Sequence, residues 1–438
     1  MPRIAFIGAG SLVFSRRLMI DILSFPELGE TTFVLMDIDA KRLEYTRRVA
    51  ECIVREGNFP AQVEATTDRR EALRGADYVI TMILVGDIEV IRHDIEIPLK
   101  YGVDQCIGDT LGPGGVFRAL RTVPVMVDIC RDMEELCPDA WLLNYTNPMA
   151  MICWAMNDAA AVRNVGLCHS VQGTARWLAH LAGVPREERE EVSYWVAGIN
   201  HQSWFLELRW KGQDLYPLLR PKIDDPQVYN IDTTRFEMLK HLGYFVTESS
   251  GHNSEYNSWF RKRPDLLQKY TPGGGWNGGT GFILQLYGAD RQDYEAQLER
   301  IASGEEPLDL SRSEEYGAYI IHSLETGAPR RINGNVRNTR LITNLPEGCC
   351  VEVPCYVDKH GINPCFIGEL PAHLAAINRS NIAVQEMAVR AALEADRDMA
   401  FYAVAADPLT AAVLSLEETR QMVDEMFKAE ADWLPRFR

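Results

Sequence analysis

Two side chains in the middle of the chain could bind a divalent metal ion. Cys168 lies in the run Gly-Leu-Cys-His-Ser-Val at 166–171, and His201 closes Gly-Ile-Asn-His at 198–201. One thiolate and one imidazole would leave coordination positions open for substrate oxygens. Metal ligands that are close in sequence give a stronger signature, so a buried structural thiol and a core histidine are the alternative interpretation.

A glycine-rich turn near the beginning of the chain predicts a dinucleotide site. Gly8, Gly10 and Ser11 lie between an apolar strand and a helix, where backbone N–H groups can approach a pyrophosphate. Val13 replaces the third glycine of the usual pattern. Asp37 ends the second predicted strand, where a carboxylate accepts hydrogen bonds from a ribose and repels a 2′-phosphate. This order of features favours NAD over NADP, and a glycine turn that binds nothing is the alternative.

The elements that must position these residues alternate between apolar strands and amphipathic helices. Strands are predicted at 4–10, 32–36, 63–66, 78–83, 140–144 and 165–167, and helices at 15–25, 40–56, 115–137 and 149–160. This alternation predicts an α/β fold with a Rossmann-type, doubly wound parallel sheet. Cys168 then follows the sixth strand at the carboxyl edge, where ligands bind in such sheets.

Beyond residue 190 the pattern changes to that of an α+β domain. It predicts a hairpin at 195–210, strands at 350–353 and 365–367, and helices at 373–405 and 416–430. We therefore divide the chain into an NAD-binding domain, 1–195, and a C-terminal domain for substrate, metal and oligomerisation, 196–438. The glycine-rich stretch 271–281 predicts a mobile surface loop of open function.

Composition narrows the class of partner. The 438 residues are 46% hydrophobic and 24% charged, as in soluble enzymes, and the net charge of −17 argues against nucleic acid and anionic membranes. The N-terminus lacks the pattern of a signal peptide, and no apolar run reaches the roughly 20 residues of a membrane span. Cysteines inside apolar elements, such as Cys52, Cys130 and Cys153, predict free thiols in the cytoplasm. We expect a small-molecule substrate and a homo-oligomer, either a dimer or a tetramer.

The motifs together resemble those of family 4 of the glycoside hydrolases, over nearly the full length. They occupy 8–11, 109–115, 144–148, 168–174 and 198–201, and the runs at 245–250, 344–353 and 432–435 are similar to those of the α-galactosidase (melibiase) branch. This family is the NAD-dependent exception to hydrolysis by two carboxylates. The resemblance implies a lactate/malate-dehydrogenase-like fold, NAD as cofactor, and manganese held by Cys168 and His201.

The resemblance also implies the reaction, hydrolysis of α-galactosides without net redox change. NAD⁺ takes a hydride from C3 of the sugar, a base removes the C2 proton, the aglycone is eliminated, water adds to C1, and the hydride returns. Tyr256 matches the C2 base, with an aromatic anchor in the core as the alternative. As a base, its phenol needs a pKa lowered by an adjacent metal or cation. Asp109 is a candidate acid/base or a hydrogen-bond partner of the metal site, with a helix N-cap as the alternative.

Three further candidates carry weaker matches. His169 stands where 6-phosphoglycosidase relatives have an acidic proton donor, so it is either a general acid or a substrate-binding residue. Asn147 could bridge substrate hydroxyls and the nicotinamide ribose, or simply form an Asn-Pro turn. Arg92 could contact substrate, or form a surface ion pair. Glu248 and His252 flank the base region and could contact the sugar or pair locally.

Other functions stay open at this point. The same chemistry could act on α-glucosides or α-glycuronides. A net NAD-dependent 2-hydroxy-acid dehydrogenase is the alternative from another class, although such an enzyme needs an arginine fork and a His-Asp pair. An NAD sensor without catalysis would have no use for a metal site.

Overall fold

A computed structural model of the protein describes residues 1–11 and 14–437, so Val13 lies outside the described residues. Its first half is a parallel sheet with strand order β3-β2-β1-β4-β5-β6. The strands are β1 (Arg3–Ile7), β2 (Thr32–Met36), β3 (Gln62–Thr66), β4 (Tyr78–Thr81), β5 (Trp141–Asn144) and β6 (Arg163–Gly166). The helices are α1 (Phe14–Leu23), α2 (Ala40–Glu56), α3 (Arg69–Leu73), α4 (Asp87–Lys100), α5 (Gly112–Leu136), α6 (Met149–Ala159) and α7 (Ser170–Leu181). The predicted doubly wound fold class is confirmed.

Apolar side chains on both faces of the central strands hold this half together. Phe6 of β1 and Phe33 of β2 are fully buried and meet edge to face, with ring centroids 5.8 Å apart. Burial of each such side chain stabilises the fold by roughly 1.5–3 kcal/mol. The strands are therefore fixed firmly enough to position the loops at their carboxyl ends.

The C-terminal half adds strands to the same sheet. These strands are β7 (Ser193–Ile199), β8 (Gln202–Trp210), β9 (Gln213–Asp214), β10 (Arg330–Arg337), β11 (Cys350–Asp358) and β12 (Gly361–Pro364). Beyond β6 the order is β10-β11-β7-β8-β9, and β12 pairs with β11. The hairpin predicted at 195–210 is confirmed as β7 and β8, which pair antiparallel. The boundary predicted at residue 195 falls inside β7, and the sheet continues across it.

The register of this sheet brings two distant segments together. Gly166 of β6 pairs with Asn335 of β10, Asn335 pairs with Glu352 of β11, and Glu352 pairs with Gly198 of β7. Cys168 and His201 follow Gly166 and Gly198 by two and three residues, counted along the chain. One row of paired residues therefore connects the strand ends that carry the two predicted metal ligands.

Two predicted elements of the C-terminal half are wrong in their bounds. The helix predicted over 373–405 is two helices, because Ala395 has a left-handed backbone (φ 58°) and Asp396 caps the next helix. The strand predicted at 365–367 lies at Gly361–Pro364 instead, because the tight turn after Asp358 starts pairing with β11 at once. The helices are α8 (Tyr216–Leu219), α9 (Pro226–Tyr229), α10 (Thr233–Leu242), α11 (Ser250–Glu255), α12 (Pro264–Tyr270), α13 (Phe282–Ser303), α14 (Tyr316–Thr326), α15 (Ala372–Glu394), α16 (Arg397–Ala406), α17 (Pro408–Val413) and α18 (Leu416–Ala429).

The ten cysteines are all free, as predicted, and nine of them are buried. Among residues 1–11 and 14–437, no helix combines the length and the apolar composition needed to cross a bilayer.

Candidate active site

His201 occupies a tight turn between β7 and β8. Ile199 pairs with Gln202, so Asn200 and His201 form a two-residue connection, in which His201 has a left-handed backbone (φ 65°). Its Nδ1 lies 2.9 Å from the hydroxyl of Thr110 and 3.2 Å from the hydroxyl of Tyr256. Burial lowers the pKa of His201 to about 4, so the ring is neutral near pH 7. These contacts fix the ring and direct Nε2 toward the remaining donors.

A thiol, an imidazole and a carboxylate converge at this point. Ligand atoms of Cys168, His201 and Glu248 all lie within 4.8 Å of one another, and Nε2 of His201 is 3.5 Å from Oε2 of Glu248. Burial, followed by the charges of Glu248 and Glu352, raises the pKa of the Cys168 thiol well above its usual value. A divalent cation there would offset both effects and hold the thiolate. Sulfur, nitrogen and oxygen donors at these separations fit a transition-metal ion.

His252 forms the centre of a chain of charges beside these donors. Its Nδ1 is 3.4 Å from Oε1 of Glu248 and 2.9 Å from the hydroxyl of Ser249, and its Nε2 is 3.6 Å from Oδ1 of Asp109. Burial alone would lower the pKa of His252, but Glu248 and Asp109 raise it to about 9. Burial would raise the pKa of both carboxyls, but the histidines hold Glu248 at about 2 and keep Asp109 below its usual range.

A second set of potential metal donors, Asp109, His201 and His252, shares His201 with the first. Both ring nitrogens of His252 already face partners, Asp109 on one side and Ser249 with Glu248 on the other. Nε2 of His201, by contrast, faces Glu248. We therefore favour the set that contains Cys168 as the metal site.

Tyr256 lies fully buried at the C-terminal end of α11, with its hydroxyl on Nδ1 of His201. Burial, followed by the negative charges of Asp109 and Glu255, raises the pKa of Tyr256 well above its usual value. As the sequence implied, this phenol needs a nearby cation before it can act as a base.

Asp109 and Asn147 connect the two halves of the site. Nδ2 of Asn147 donates to Oδ2 of Asp109 (3.1 Å), and the hydroxyl of Thr110 donates to Oδ1 (2.7 Å). The segment Gly112–Gly115 that follows is the buried first turn of α5. The N-cap residue of α5 is Leu111, and no side chain caps the helix there. The alternative interpretation of Asp109 as a helix cap is therefore wrong.

His169 and Arg92 lie farther from the centre. His169 is exposed, with Nδ1 3.5 Å from Oε1 of the buried Glu315, and that hydrogen bond raises the pKa of His169. Arg92 lies on the surface of α4 and pairs with Glu96 at 2.9 Å, which agrees with its interpretation as part of a surface ion pair. The structure therefore brings His169 to the rim of the site and supports no contact of Arg92 with its centre.

The glycine turn predicted to bind the dinucleotide is tight and closely packed. Gly8 has φ +87°, and a Cβ there would lie 2.8 Å from the carbonyl oxygen of Met82. Oδ2 of Asp37 accepts the N–H of Gly10 at 2.8 Å, and the N–H of Ser11 donates to the carbonyl of Gly8 at 3.0 Å. A Cβ on Gly10 would likewise lie 2.8 Å from Oδ2 of Asp37, so both positions need glycine for the turn to pack this closely, as expected of a turn that binds a pyrophosphate with an acid beside the ribose.

Sequence reasoning did not assign Thr110, Glu315 or Glu352. Glu352 is buried in β11, where its two oxygens accept from Ser203 (2.7 Å) and Asn335 (3.3 Å), and burial raises its pKa to about 7. A charged residue inside the apolar strand Cys-Val-Glu-Val was the signal for Glu352. Glu315 gives no such signal, because only the fold brings it to His169.

Comparison with known proteins gives the class. The pattern described as Family 4 glycosyl hydrolase matches residues 3–184, and that of the Family 4 glycosyl hydrolase C-terminal domain matches residues 196–410. The chain belongs to family 4 of the glycosyl hydrolases and is a glycosidase by class.

Individual relatives refine this assignment. The chain is 42% identical to an alpha-galactosidase of Bacillus subtilis (strain 168), over all of both chains. The solved structure of a putative glucosidase, lplD, from Bacillus subtilis is 26% identical, with a TM-score of 0.88 over 97% of this chain and 99% of that one. A 6-phospho-alpha-glucosidase from gut microorganisms, solved in complex with NAD and Mn²⁺, shares the fold at 20% identity (TM-score 0.81, all of both chains).

Proposed function

We propose that this protein hydrolyses α-galactosides with NAD and Mn²⁺, by oxidation at C3, loss of the C2 proton, elimination, addition of water and re-reduction. The observation that carries the substrate class is the 42% identity to an alpha-galactosidase along the whole chain. Family membership disfavours the dehydrogenase alternative. The cytoplasmic location, the subunit count and the division into domains stay predictions from the sequence.

The two cofactors fit the residues present. Gly8, Gly10 and Asp37 would hold the dinucleotide, and Cys168, His201 and Glu248 would supply three protein ligands to the metal. When bound, NAD supplies a hydride acceptor and donor, and the divalent ion supplies a Lewis acid for sugar oxygens.

The remaining side chains can then move protons. Tyr256 is the candidate for removing the C2 proton, since its buried hydroxyl lies 3.2 Å from Nδ1 of His201. His169, paired with Glu315 at the exposed rim, is the candidate for protonating the leaving group. Asp109 holds Asn147 and His252 in place, and this arrangement supports a role of Asn147 in binding sugar hydroxyls.

The labelling of the product tests this proposal. With NAD⁺, Mn²⁺ and D₂O, the wild-type enzyme should release galactose that carries deuterium at C2, without accumulating NADH. Tyr256→Phe should reduce C2 exchange by at least about 100-fold, as for loss of a general base, while substrate still binds. Tyr216→Phe is the matched control, because it removes another buried hydroxyl, which bonds Phe205 and Phe245 away from the site. Hydrolysis without C2 label and without NAD⁺ would contradict the proposal.

A further inference from the structure

The glycine-rich segment 271–281 is held firmly beside the active site. Nδ2 of Asn277 donates to the carbonyls of Asn230 (2.8 Å) and Pro272 (2.9 Å), and its Oδ1 accepts the N–H of Thr233 (3.0 Å). At the far end of the segment, the N–H of Gly281 donates to the carbonyl of Gln105 at 2.8 Å. The segment is thus bonded to its surroundings at several points, whereas the sequence predicted a free surface loop.

The same segment carries a large aromatic side chain that stays open to solvent. Trp276 is 49% exposed, although Asn277 next to it is buried. Phe282 supports its ring from the edge, with centroids 5.1 Å apart. A Cβ on Gly251 of α11 would lie 2.9 Å from the carbonyl oxygen of Trp276, so the close approach requires a glycine there. Rigid support under an exposed indole is the arrangement of a stacking surface rather than of a core residue.

Trp276 lies next to the reacting centre but outward from it. Its ring is nearly parallel to that of His252, at 15° and a centroid distance of 6.1 Å, and His252 in turn lies 4.9 Å from the ring of His201. The two histidines are buried, and Trp276 is half exposed. The order His201, His252, Trp276 therefore runs from the buried centre to solvent, which is the direction in which a leaving group must extend from the reacting sugar.

We infer that Trp276 forms a stacking platform for the leaving group of the substrate, and that it selects glycosides whose aglycone is a second sugar or an aromatic ring. This inference rests on the proposed α-galactosidase function. The apolar face of a pyranose, or an aryl ring, covers the indole on binding and removes apolar surface from water. A methyl aglycone is too small to reach the platform.

A ratio of specificity constants isolates this effect. The holoenzyme is assayed on melibiose, on p-nitrophenyl α-galactoside and on methyl α-galactoside, and kcat/KM for each of the first two is divided by that for the third. Trp276→Ala should lower both ratios by about tenfold, equivalent to roughly 1.4 kcal/mol of stacking. Trp276→Phe, which keeps an aromatic ring, should have ratios close to those of the wild type. Trp259→Ala is the matched control, since Trp259 is 40% exposed and its ring contacts Phe260, whereas the ring of Trp276 stacks on His252 of the site. The ratios for Trp259→Ala should equal those of the wild type.

Each outcome bears on the inference. Equal loss on all three substrates, or unchanged ratios in Trp276→Ala, would overturn it. The fluorescence of Trp276 is obtained as the difference between the wild type and Trp276→Phe. If acrylamide does not quench this fluorescence in the assembled enzyme, Trp276 lies in a subunit contact, and the inference is overturned as well. If the wild type hydrolyses none of the three substrates, the proposed function fails first, and that result is separate from any change in the ratios.

Discussion

Replacing Asp37 with Asn should change the cofactor preference of the enzyme. Both carboxylate oxygens of Asp37 are held by backbone N–H groups, Oδ2 by Gly10 at 2.8 Å and Oδ1 by Asp39 at 2.9 Å. The carboxylate is therefore fixed at the end of β2, beside the glycine turn, where the adenosine ribose of a bound dinucleotide is expected. An amide in its place keeps one acceptor oxygen and loses the charge.

The magnitude follows from two contributions. Replacing the charged acceptor by a neutral one lowers the contribution of the ribose hydrogen bond from about 1.5–3 to about 0.5–1.5 kcal/mol. One unit charge about 4 Å from the 2′-phosphate of NADP repels it by roughly 1–4 kcal/mol, depending on solvent exposure. The low ends of the two losses sum to about 2 kcal/mol, so the ratio of Kd(NADP) to Kd(NAD) should fall by at least about 25-fold.

Calorimetric or fluorescence titration of metal-free protein with both cofactors measures this ratio directly. Asp39→Asn is the matched control, because it removes a neighbouring charge while Asn caps α2 as well as Asp does. The control should keep the wild-type ratio. If Asp37→Asn binds both cofactors with wild-type affinity, the ribose lies elsewhere and the assignment of the turn is wrong.

Two further predictions concern the metal site and stability. Cys168→Ser and Glu248→Gln should each weaken Mn²⁺ binding by more than the roughly 10- to 100-fold that is lost with an outer hydrogen-bond partner of a metal ligand. The EPR signal of free Mn²⁺ measures this binding, and NAD affinity should be retained. Wild-type Mn²⁺ affinity in Cys168→Ser would rule out the ligand set. Burial raises the pKa of Asp407 from 3.8 to about 6. The folded state thus binds the proton more tightly, and the stability this contributes is complete below pH 4 and lost as the pH rises to 6, a difference of about 3 kcal/mol. Asp407→Asn lacks this loss. In urea unfolding, the free energy of unfolding of Asp407→Asn relative to the wild type should therefore increase between pH 4.5 and 7.5. A difference that stays constant over this range would contradict the argument.

The sequence predicted those parts of the site that follow a strand or a glycine turn. Gly8, Gly10 and Asp37 were predicted because strand, glycines, helix and acid occur in order. Cys168 was predicted because it follows a strand at the carboxyl edge of a parallel sheet and because the resemblance supports it. His201 needed the resemblance as well, since it lies in the turn of a hairpin that the sequence could place but could not orient. Parallel sheets constrain their carboxyl edges strongly, and this constraint made the inference possible.

Contacts between distant segments could not be predicted in the same way. Glu315 reaches His169 only because the segment before α14 passes the end of β6, and no local pattern marks it. The break between α15 and α16 was missed because apolar periodicity continues across Ala395, whose left-handed backbone no propensity favours. The segment around Trp276 was predicted to be mobile because its glycines indicate turns. The hydrogen bonds that hold Asn277 join it to Asn230, which follows α9, and to Thr233, the first residue of α10.

Backbone strain links the folded scaffold to the chemistry of the metal site. His201 and Glu248 both have left-handed backbones, with φ of 65° and 64°, and neither is a glycine. Each such residue costs about 1–3 kcal/mol and persists only where its surroundings hold it. Here the side chain of Asn253 donates to the carbonyl of Thr247 at 2.9 Å, and the hydroxyl of Thr110 contacts His201. Glycine would relieve this strain at either position but would remove an imidazole or a carboxylate from the proposed metal site. Strain at these two positions is therefore what the proposed ligand set leads us to expect.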